Sequence, residues 1–561
     1  MKLTGAQIMM KVLKEEGVDT IFGYPGGAVI DIYDELEKTD IRHILVRQEA
    51  CAVHAADGYA RAGGRVGVCL VTSGPGATNT VSGIASSYMD SIPVVIFTGQ
   101  VPTHLIGNDA FQEVDTVGIT RPCTKHNYLV KRTEDLARII KEAFLIASSG
   151  RPGPVLVDIP KNVSVNIIDY KAPKKVNLKS YKPTYSPNVK QLQRVVEMIK
   201  SAKKPMIFAG GGVILSKAAK ELTELARKTQ IPVTCSLMGL GGFPGTDPLW
   251  LGMIGMHGTY RSNMSTGECD LMIGIGVRFD DRVTGKTDVF APNAKIVHID
   301  IDPTSIRKNI PVTVPVVGDC KITLSKLNSL LDKEDLGDLK KKRKKWFDQI
   351  HHWKSTSPQT YNQKDVIKPQ YVVDMLYQLT KGKAIITTEV GQNQMWAAQY
   401  YHFDKPNHFI TSGGLGCMGF GLPAAIGAQL ACPDKLVVDV AGDGSIQMNI
   451  QEMTTAIQCG LPVKIVILNN GYLGMVRQWQ QLFFDKRYVS TCLECAPDFV
   501  KLAEAYGAVG FRATKPEEVE PVLKKGLFSK QTVIMDFVVE KEECVYPMVP
   551  AGAPVTEMLL V

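Results

Sequence analysis

The chain has 561 residues, of which 45% are hydrophobic and 21% are charged, and its formal net charge is +8. A chain of this length is too long for one hydrophobic core and predicts about three domains. The composition is that of a soluble globular protein. No apolar run reaches the roughly 18 residues that a membrane helix requires, so we expect no membrane partner.

The first residues, 1–10, predict an amphipathic helix and have neither the apolar core of a signal peptide nor the character of a transit segment. The 12 cysteines are scattered, and some stand within apolar strands, which favours reduced thiols and a cytoplasmic location. Cys492 and Cys495 form one Cys-x-x-Cys pair. Without a second pair or a nearby histidine they predict no zinc site, and we assign them no role.

The first predicted domain spans residues 1–165 and alternates helical patterns with apolar strands, which is typical of a parallel sheet. Its predicted strands include residues 20–23, 66–71, 93–98 and 154–158. Glu49 stands at a strand-to-helix junction in this domain. Taken alone, an acid at this position is typical of a helix N-terminus, where the helix dipole favours negative charge.

A lysine- and proline-rich linker at residues 169–188 leads to the second predicted domain, residues 188–330. Gly210, Gly211 and Gly212 follow one strand and suit the close approach of a phosphate, although such a turn also occurs without a ligand. Asp300 ends another strand and suits a ribose hydroxyl. The predicted strands of this domain are residues 205–209, 271–275 and 295–300.

A polar, lysine-rich stretch at residues 332–368 separates the second and third predicted domains. Its basic run, residues 340–345, is compatible with a nucleic-acid patch or with the solvated face of a helix or linker. We favour the solvated face, because nothing else in the chain resembles a nucleic-acid-binding module. We therefore expect no nucleic-acid partner.

The third predicted domain, residues 368–540, contains Asp443 between two glycines after one strand, and Asn470 after the next strand. Because the carboxyl ends of parallel strands meet at one edge, the two side chains are expected to converge. Carboxylate and amide oxygens suit a hard divalent cation, but two side chains are too few for a free-standing site. The pattern predicts a cation shared with a polyphosphate cofactor; the alternative is two ordinary turns. The predicted elements here are strands 436–440 and 463–468 and helix 449–459.

Gly-Asp-Gly followed about two dozen residues later by Asn-Asn resembles the motif of thiamine diphosphate enzymes. The resemblance implies Mg²⁺ bound by Asp443, Asn470 and the backbone carbonyl of Tyr472. Residues 46–61 and 71–79 resemble the activating-glutamate region of the same enzymes. Glu49 is therefore the implied catalytic acid on the cofactor's aminopyrimidine ring, and burial in an apolar pocket suits that role.

The resemblance runs from end to end and is closest to the catalytic subunits of the acetohydroxyacid synthase family. It is carried by residues 22–27, 109–113, 251–257, 276–285, 413–423 and 474–479. It implies a fold of three doubly wound parallel-sheet α/β domains and a C-terminal segment, residues 541–561, that covers the active site. The implied cofactors are thiamine diphosphate, Mg²⁺ and FAD.

The implied activity is decarboxylation of pyruvate and transfer of the hydroxyethyl unit to a second pyruvate or to 2-oxobutyrate. The products are 2-acetolactate and 2-aceto-2-hydroxybutyrate, in branched-chain amino acid biosynthesis. In this superfamily the glutamate domain of one subunit faces the diphosphate domain of another, so a homodimer or homotetramer is implied. A separate small regulatory subunit is also implied.

The family's site residues carry over where this sequence matches. The implied thiamine diphosphate contacts are Tyr24, Glu49, Val390, Gly391, Gln392, Asn393, Gly416, Met418, Gly442, Asp443, Gly444, Ser445, Asn470, Tyr472, Leu473, Gly474 and Met475. The implied FAD contacts are Arg151, Gly210, Gly211, Gly212, His257, Gly276, Arg278, Asp300, Ile301 and Asp319. The implied substrate contacts are Phe111, Gln112, Lys161, Arg282 and Trp479.

Several of these residues could have a structural role instead of a cofactor or substrate contact. Met418, the implied apolar wedge under the cofactor, could be a core filler, and Arg282 could be a surface arginine rather than a carboxylate clamp. Asn393 departs from the family's usual histidine, which puts its cofactor contact in question. Residues 414–419 match a dinucleotide fingerprint, but no supporting β-α-β unit is present, so a glycine-rich turn beside the cofactor is favoured.

Three alternative functions remain open at this stage. A pyruvate oxidase would use FAD for electron transfer, whereas Trp479 and residues 278–285 favour a carboligase in which FAD is chiefly structural. Glyoxylate carboligase lacks the activating acid and is disfavoured by Glu49. A non-catalytic flavin- or nucleotide-binding regulator is disfavoured by the presence of Glu49, Asp443 and Asn470.

Overall fold

The computed structural model of the chain describes every residue except Lys174, Lys175, Asn177, Glu494 and Val561. Parts of the predicted linker and the last residue of the predicted C-terminal segment therefore lie outside the described residues. Three parallel sheets of six strands each organise the chain, as the doubly wound α/β prediction requires. In the part of the chain that is described, no helix combines the length and apolar character needed to cross a membrane.

The first sheet has the strand order β3-β2-β4-β5-β7-β6, and its central strands are buried runs of valine, isoleucine and leucine. The predicted N-terminal helix begins at Gly5, because residues 2–4 instead form an antiparallel strand with residues 167–169. The strands are β1 Lys2–Thr4, β2 Thr20–Tyr24, β3 Arg42–Leu45, β4 Gly67–Val71, β5 Val94–Gln100, β6 His126–Leu129, β7 Val155–Pro160 and β8 Ile167–Asp169. The α-helices are α1 Gly5–Glu15, α2 Ile30–Glu37, α3 Glu49–Gly63, α4 Pro75–Asn79, α5 Val81–Asp90, α6 Thr116–Thr120, α7 Thr133–Ser148 and α8 Lys161–Val165.

The second sheet has the order β11-β10-β9-β12-β13-β14, in which the chain moves outward from β9 in both directions. Its strands are β9 Pro205–Ala209, β10 Val233–Cys235, β11 Trp250–Met253, β12 Leu271–Ile275, β13 Lys295–Asp300 and β14 Val314–Val317. The α-helices are α9 Val189–Ser201, α10 Gly211–Leu215, α11 Ala219–Thr229, α12 Tyr260–Glu268, α13 Asp281–Thr284, α14 Cys320–Leu331 and α15 Leu339–Thr356.

The third sheet, β16-β15-β17-β18-β20-β19, repeats the strand order of the first sheet. The predicted helix 449–459 is divided into a 3₁₀ turn, Ile450–Glu452, and a short α-helix. The strands are β15 Ile385–Thr388, β16 Phe409–Ile410, β17 Val437–Gly442, β18 Lys464–Asn469, β19 Val509–Ala513 and β20 Val533–Val538. The α-helices are α16 Pro369–Thr380, α17 Gln392–Tyr400, α18 Gly421–Ala431, α19 Asp443–Ile446, α20 Met453–Gln458, α21 Gly474–Phe483, α22 Phe499–Tyr506 and α23 Pro516–Phe528.

Helix α3 of the first domain packs against helix α18 of the third with unusually little space between their backbones. A Cβ atom added at Gly58 would lie 2.2 Å from the carbonyl oxygen of Ala424, and one at Gly427 would lie 1.9 Å from that of Ala55. These glycines let the helices approach closely, because any side chain there would collide with backbone. The contact fixes the start of α3, where Glu49 lies, relative to the third sheet.

The basic run 340–345 lies in α15, which exposes its lysines while burying one arginine of the same run. The guanidinium of Arg343 donates to the carbonyl oxygens of Ile199, at the end of α9, and Thr229, at the end of α11. Burial lowers the pKa of Arg343 to about 10. A cation at the C-terminal ends of two helices is favoured by their dipoles. Arg343 therefore attaches α15, which lies in the predicted separator 332–368, to α9 and α11 of the second domain.

Replacing Arg343 with methionine keeps much of its apolar stem but leaves two buried helix-end carbonyls without a charged donor. We expect the free energy of unfolding to fall by roughly 2 kcal/mol or more. Lys344→Met, at an exposed position on the same helix, is the matched control and should change it by less than about 0.5 kcal/mol. Chemical denaturation of both variants tests this, and equal effects would show that Arg343 has no special role.

Candidate active site

The carboxyl ends of β17 and β18 bring Asp443 and Asn470 together. The two strands are parallel neighbours in which Gly442 pairs with Leu468, so both end at the same edge. The backbone N–H of Asn470 donates to the Oδ1 atom of Asp443 at 3.4 Å. The convergence predicted from the strand pattern is therefore present.

Asp443 is almost fully buried, and its Oδ2 atom has no hydrogen-bond partner among the described residues. Burial raises the pKa of Asp443 to about 6, although backbone N–H groups, including that of Asn470, lower it in part. Such an oxygen is costly unless a cation or a donor approaches it. The residues therefore fit a hard cation that also takes oxygens from a ligand.

Asn470 is fixed by its neighbours. Its Nδ2 donates to the Oε1 of Gln392 at 3.1 Å, and its Oδ1 accepts from the N–H of Tyr472 at 3.0 Å. Within the described residues there is no cluster of three or more histidines, cysteines or acidic side chains that could hold a metal.

The other predicted thiamine diphosphate residues of the third domain follow neighbouring strands of the same sheet. Close approach is visible at Gly474, where an added Cβ would lie 2.1 Å from the Oε1 atom of Gln392. The sheet order β16-β15-β17-β18 brings these loops to one edge, at a point where the strand order reverses, which is where open α/β sheets bind ligands. Gly416 and Met418 follow β16. Val390, Gly391, Gln392 and Asn393 follow β15. Gly442 ends β17, and Asp443, Gly444 and Ser445 follow it, while Asn470, Tyr472, Leu473, Gly474 and Met475 follow β18.

Asn393, where the resemblance led us to expect a histidine, is buried, and its side chain connects the ends of two strands. Its Nδ2 donates to the carbonyl oxygens of Glu389 at 2.9 Å and Val440 at 2.8 Å. An added Cβ at Gly391 would lie 2.6 Å from its Oδ1. The asparagine thus links the ends of β15 and β17 beneath the predicted cofactor loops.

The loop from residue 413 to residue 420 is held in place by hydrogen bonds from several neighbours. The carboxylate of Asp90, in the first domain, accepts from the N–H groups of Gly413 at 3.1 Å and Gly414 at 2.7 Å. The Oγ of Ser412 accepts from the N–H of Gly416 at 3.2 Å. Gly416 has φ +79°, so only a residue that tolerates the left-handed region suits it. Met418 is half-buried in this loop and is not part of a hydrophobic core cluster.

Glu49 begins helix α3 at the carboxyl edge of the first sheet. It is half-buried in the single chain, and its Oε2 accepts from the Nδ2 of Asn79 at 2.9 Å. The Gln48 side chain caps the helix by accepting from the N–H of Cys51. Tyr24 ends β2, the strand next to the one that precedes Glu49, and is exposed.

The predicted FAD glycines meet at the carboxyl ends of β9 and β12, where the strand order of the second sheet reverses. A Cβ added at Gly210 would lie 2.3 Å from the carbonyl oxygen of Gly276, and one at Gly212 would lie 2.6 Å from its Cα. Gly276 has φ +59°. Three glycine backbones in mutual contact at a switch point form a surface that a ligand's phosphate can approach closely.

Asp300 ends β13 and is buried, and burial raises its pKa to about 6. It accepts from the N–H of Asp302 at 2.8 Å, and Asp302 in turn pairs with Arg151 at 3.1 Å. Arg151, Ile301 and Asp302 line a cleft of about 400 Å³. Arg151, Asp300 and Ile301, which are predicted to contact FAD, therefore lie together at this end of the second sheet.

The other predicted FAD residues are more dispersed. Burial lowers the pKa of His257 to about 4, and its Nδ1 lies 3.2 Å from the carbonyl oxygen of Pro547. Arg278 is half-buried, 4.0 Å from the carboxylate of Asp280. Asp319 caps helix α14 by accepting from the N–H of Ile322 at 2.9 Å, a structural role that the sequence pattern did not suggest.

The predicted substrate residues lie on the surfaces of all three domains. Phe111 is 88% exposed. Gln112 has φ +59° and packs its backbone against Gly74. The Nζ of Lys161 donates to the carbonyl oxygen of Gly27 at 2.9 Å and pairs with Asp31 at 2.8 Å, so its charge is already partnered in the single chain.

Arg282 and Trp479 lie on elements that the C-terminal segment bridges. The Arg282 side chain is 60% exposed, and that of Trp479 is half-buried with its ring edge-on to Phe483. The segment pairs with Gln478 of α21 through Val545 and with the second domain. The position of residues 541–560 against two domains is therefore compatible with the predicted cover.

Comparison with protein families gives three matches along the chain. The N-terminal TPP binding domain of thiamine pyrophosphate enzymes matches residues 3–119, the central domain of these enzymes matches residues 192–327, and the C-terminal TPP binding domain matches residues 389–537. Each match contains most of one six-stranded sheet. The chain is thus built from the three domains of a thiamine pyrophosphate enzyme.

Full-length relatives identify the subgroup of thiamine pyrophosphate enzymes to which the chain belongs. The chain is 50% identical to the acetolactate synthase large subunit of Haemophilus influenzae over 564 residues and to the acetolactate synthase isozyme 3 large subunit of Escherichia coli over 565, covering 100% of this chain and 98% of each relative. It is 47% identical to the probable acetolactate synthase large subunit of Methanocaldococcus jannaschii, over 99% of this chain and 95% of that protein. The chain belongs to the thiamine pyrophosphate enzymes and, within them, to the acetolactate synthase large subunits.

Proposed function

We propose that this chain catalyses the acetolactate synthase reaction, in which pyruvate is decarboxylated and its two-carbon unit is joined to a second 2-oxoacid. With pyruvate as acceptor the product is 2-acetolactate, and with 2-oxobutyrate it is 2-aceto-2-hydroxybutyrate. The observation that carries the proposal is the buried Asp443 oxygen, which lacks a partner among the described residues and lies beside Asn470 where two strands end. This is a site for a cation that a diphosphate completes.

In this proposal Asp443, Asn470 and the backbone carbonyl of Tyr472 hold Mg²⁺ against the diphosphate of thiamine diphosphate. The hydrogen bond from Asn470 Nδ2 to Gln392 turns the amide oxygen away from Gln392. A cation at this point would stabilise the charged form of Asp443, whose pKa is otherwise raised by burial. Because Gly474 has no side chain, the loop after β18 can lie close to Gln392 and Asn470.

Glu49 is the proposed catalytic acid. When bound, thiamine diphosphate supplies a nucleophilic carbon that adds to a ketone and accepts the electron pair left by decarboxylation. Glu49 holds a proton at the N1′ atom of the aminopyrimidine ring, and the hydrogen bond from Asn79 keeps its carboxyl group in one orientation. The half-burial of Glu49 in one chain supports an active site completed by the third domain of a second chain, and hence a homodimer or a homotetramer.

The proposed acceptor pocket uses Arg282 and Trp479. The guanidinium of Arg282 is exposed and lies 3.8 Å from the exposed carboxylate of Asp281. It is proposed to bind the carboxylate of the second 2-oxoacid with two hydrogen bonds. The ring of Trp479 forms a wall against its alkyl group. Phe111, Gln112 and Lys161 are proposed to line the pocket of the first pyruvate.

FAD is proposed to bind the second domain. The glycine contact between Gly210, Gly212 and Gly276 would accommodate its phosphates, and the cleft beside Arg151 and Asp302 would accommodate a nucleotide. The relatives are named large subunits, which supports assembly of this chain with a separate small subunit.

The first test concerns the cation. Asp443→Asn keeps the size of the side chain but removes its charge, so thiamine diphosphate should bind at least about tenfold more weakly in the presence of Mg²⁺. Asp498→Asn, which changes a helix-capping acid in the same domain, is the control and should leave binding unchanged. Calorimetric titration measures both. Unchanged affinity in Asp443→Asn would remove Asp443 from the metal site.

The second test concerns the acid. Glu49→Gln should leave the fold and the binding of Mg²⁺ intact but slow exchange of the cofactor's C2 proton by at least about a hundredfold, because an amide cannot share the N1′ proton. Glu134→Gln, in the first turn of α7, is matched to it because Glu49 occupies the first turn of α3. Exchange at the native rate, followed by nuclear magnetic resonance, would assign the role to another residue.

The third test distinguishes a carboligase from an oxidase. We expect one carbon dioxide per 2-acetolactate from pyruvate, and 2-aceto-2-hydroxybutyrate when 2-oxobutyrate is added, without stoichiometric oxygen uptake. Trp479→Leu should lower the preference for 2-oxobutyrate about tenfold while pyruvate turnover falls less, because the lost contact is to one extra methylene. Stoichiometric peroxide, with acetate or acetyl phosphate, would make the chain a pyruvate oxidase.

A further inference from the structure

Glu389 is a fully buried acid that has no part in the proposed chemistry. It directly precedes the cofactor loop that begins at Val390, and its carboxylate points toward the second cofactor loop. Oε2 accepts from the N–H of Gly419 at 2.6 Å, and Oε1 accepts from the N–H of Leu422 at 3.1 Å. Hydrogen bonds from N–H groups to a carboxylate are among the stronger ones available to a protein.

A second buried acid, Asp439 of β17, lies beside Glu389. Burial and the charge of Glu389 both raise the pKa of Asp439, whose Oδ1 accepts from Thr387 at 3.2 Å. Burial also raises the pKa of Glu389, but its backbone N–H donors lower it in part. The backbone donors favour the charged form of Glu389, whereas no backbone N–H donates to Asp439 among the described residues.

The space between these acids admits only glycine at residue 421. An added Cβ there would lie 2.2 Å from the Oδ1 of Asp439 and 2.6 Å from the backbone nitrogen of Glu389. Helix α18 therefore begins directly above both carboxyl groups. Its first N–H groups and the preceding loop are fixed by Glu389 rather than by a capping side chain of their own.

Met418 directly precedes Gly419, whose N–H donates to the carboxylate of Glu389. At the far side of the same loop, an added Cβ at Gly416 would lie 3.8 Å from the Cγ1 of Val390. Glu389 thus connects the loop that carries Val390 to the loop that carries Met418, and the family resemblance implies that both residues contact thiamine diphosphate. A shift in the Glu389 hydrogen bonds would move Met418 relative to Val390.

We propose that Glu389 is a positioning residue. By accepting hydrogen bonds from the N–H groups of Gly419 and Leu422, it holds Met418 in the position that the bound cofactor requires. This inference rests on the proposed function, because the position of Met418 affects turnover only where thiamine diphosphate binds. The hydrogen bonds themselves are a property of the chain without cofactor. The two parts are tested separately.

The first experiment measures amide hydrogen exchange in the cofactor-free protein by mass spectrometry. Glu389→Gln has nearly the same shape but presents an NH₂ group to one of the two N–H donors. Peptides that cover residues 416–424 should exchange at least about tenfold faster. Asp439→Asn, which leaves the Glu389 carboxylate in place, is the matched control and should leave these peptides as protected as in the wild type.

Gly421→Ala is a second route to the same displacement. Its methyl group would push the start of α18 away from Glu389 while keeping the acid, so the same peptides should lose protection. Unchanged exchange in both Glu389→Gln and Gly421→Ala would overturn the proposal. Loss of protection in Asp439→Asn alone would also overturn it, because the loop would then depend on the other acid.

The second experiment tests whether the position of the loop that carries Met418 affects turnover. Glu389→Gln should lower kcat for 2-acetolactate formation about tenfold with less than about a threefold change in KM for pyruvate. Combined with Met418→Ala it should lower kcat no more than about twofold further than Met418→Ala alone, since the two residues act through one contact. Fully multiplicative effects would show that Glu389 does not act through Met418. Absence of 2-acetolactate from the wild type would refute the proposed function and leave the exchange result standing.

Discussion

Parallel strands end at a common edge, and the active site of this protein depends on that constraint. Strands β17 and β18 deliver Asp443 and Asn470 to one point, where the N–H of Asn470 reaches the Asp443 carboxylate. Burial leaves the second carboxylate oxygen without a donor among the described residues. An unpaired oxygen at that depth lowers the stability of the empty protein. It also favours binding of a cation, because the cation supplies the missing partner.

The same constraint acts in each of the three sheets. The first and third share one strand order, and the second moves outward from β9, yet each has a point where the order reverses and loops diverge. The proposed diphosphate, flavin and pyrimidine sites all lie at such edges. Helices α3 and α18, packed backbone to backbone through Gly58 and Gly427, fix the first domain against the third within one chain.

Much of this could be predicted from the sequence, because the information is local. Apolar runs predicted the central strands, and glycines beside Asp443 and Asn470 predicted turns at their ends. Residues whose role depends on distant partners could not be found in this way. Arg343 is one basic residue in a run of six, and only the tertiary structure shows it facing the ends of α9 and α11. Glu389 is similar, since its partners Gly419 and Leu422 are 30 and 33 residues away.

The boundaries of local elements were also decided by tertiary contacts. Residues 2–4 have a helical pattern but pair with residues 167–169, so α1 begins only at Gly5. The sequence position of Asn393 did not reveal that its side chain links Glu389 to Val440. In both cases a hydrogen-bonding partner far along the chain outweighs the local signal.

The central claim is that the protein supplies too few oxygens for its cation and that the diphosphate supplies the rest. Equilibrium dialysis of the wild-type protein with radiolabelled Mg²⁺ tests it most directly, with thiamine diphosphate, thiamine monophosphate or neither present. We predict retention of one Mg²⁺ per chain only with thiamine diphosphate. Equally tight retention of Mg²⁺ with neither compound present would contradict the account.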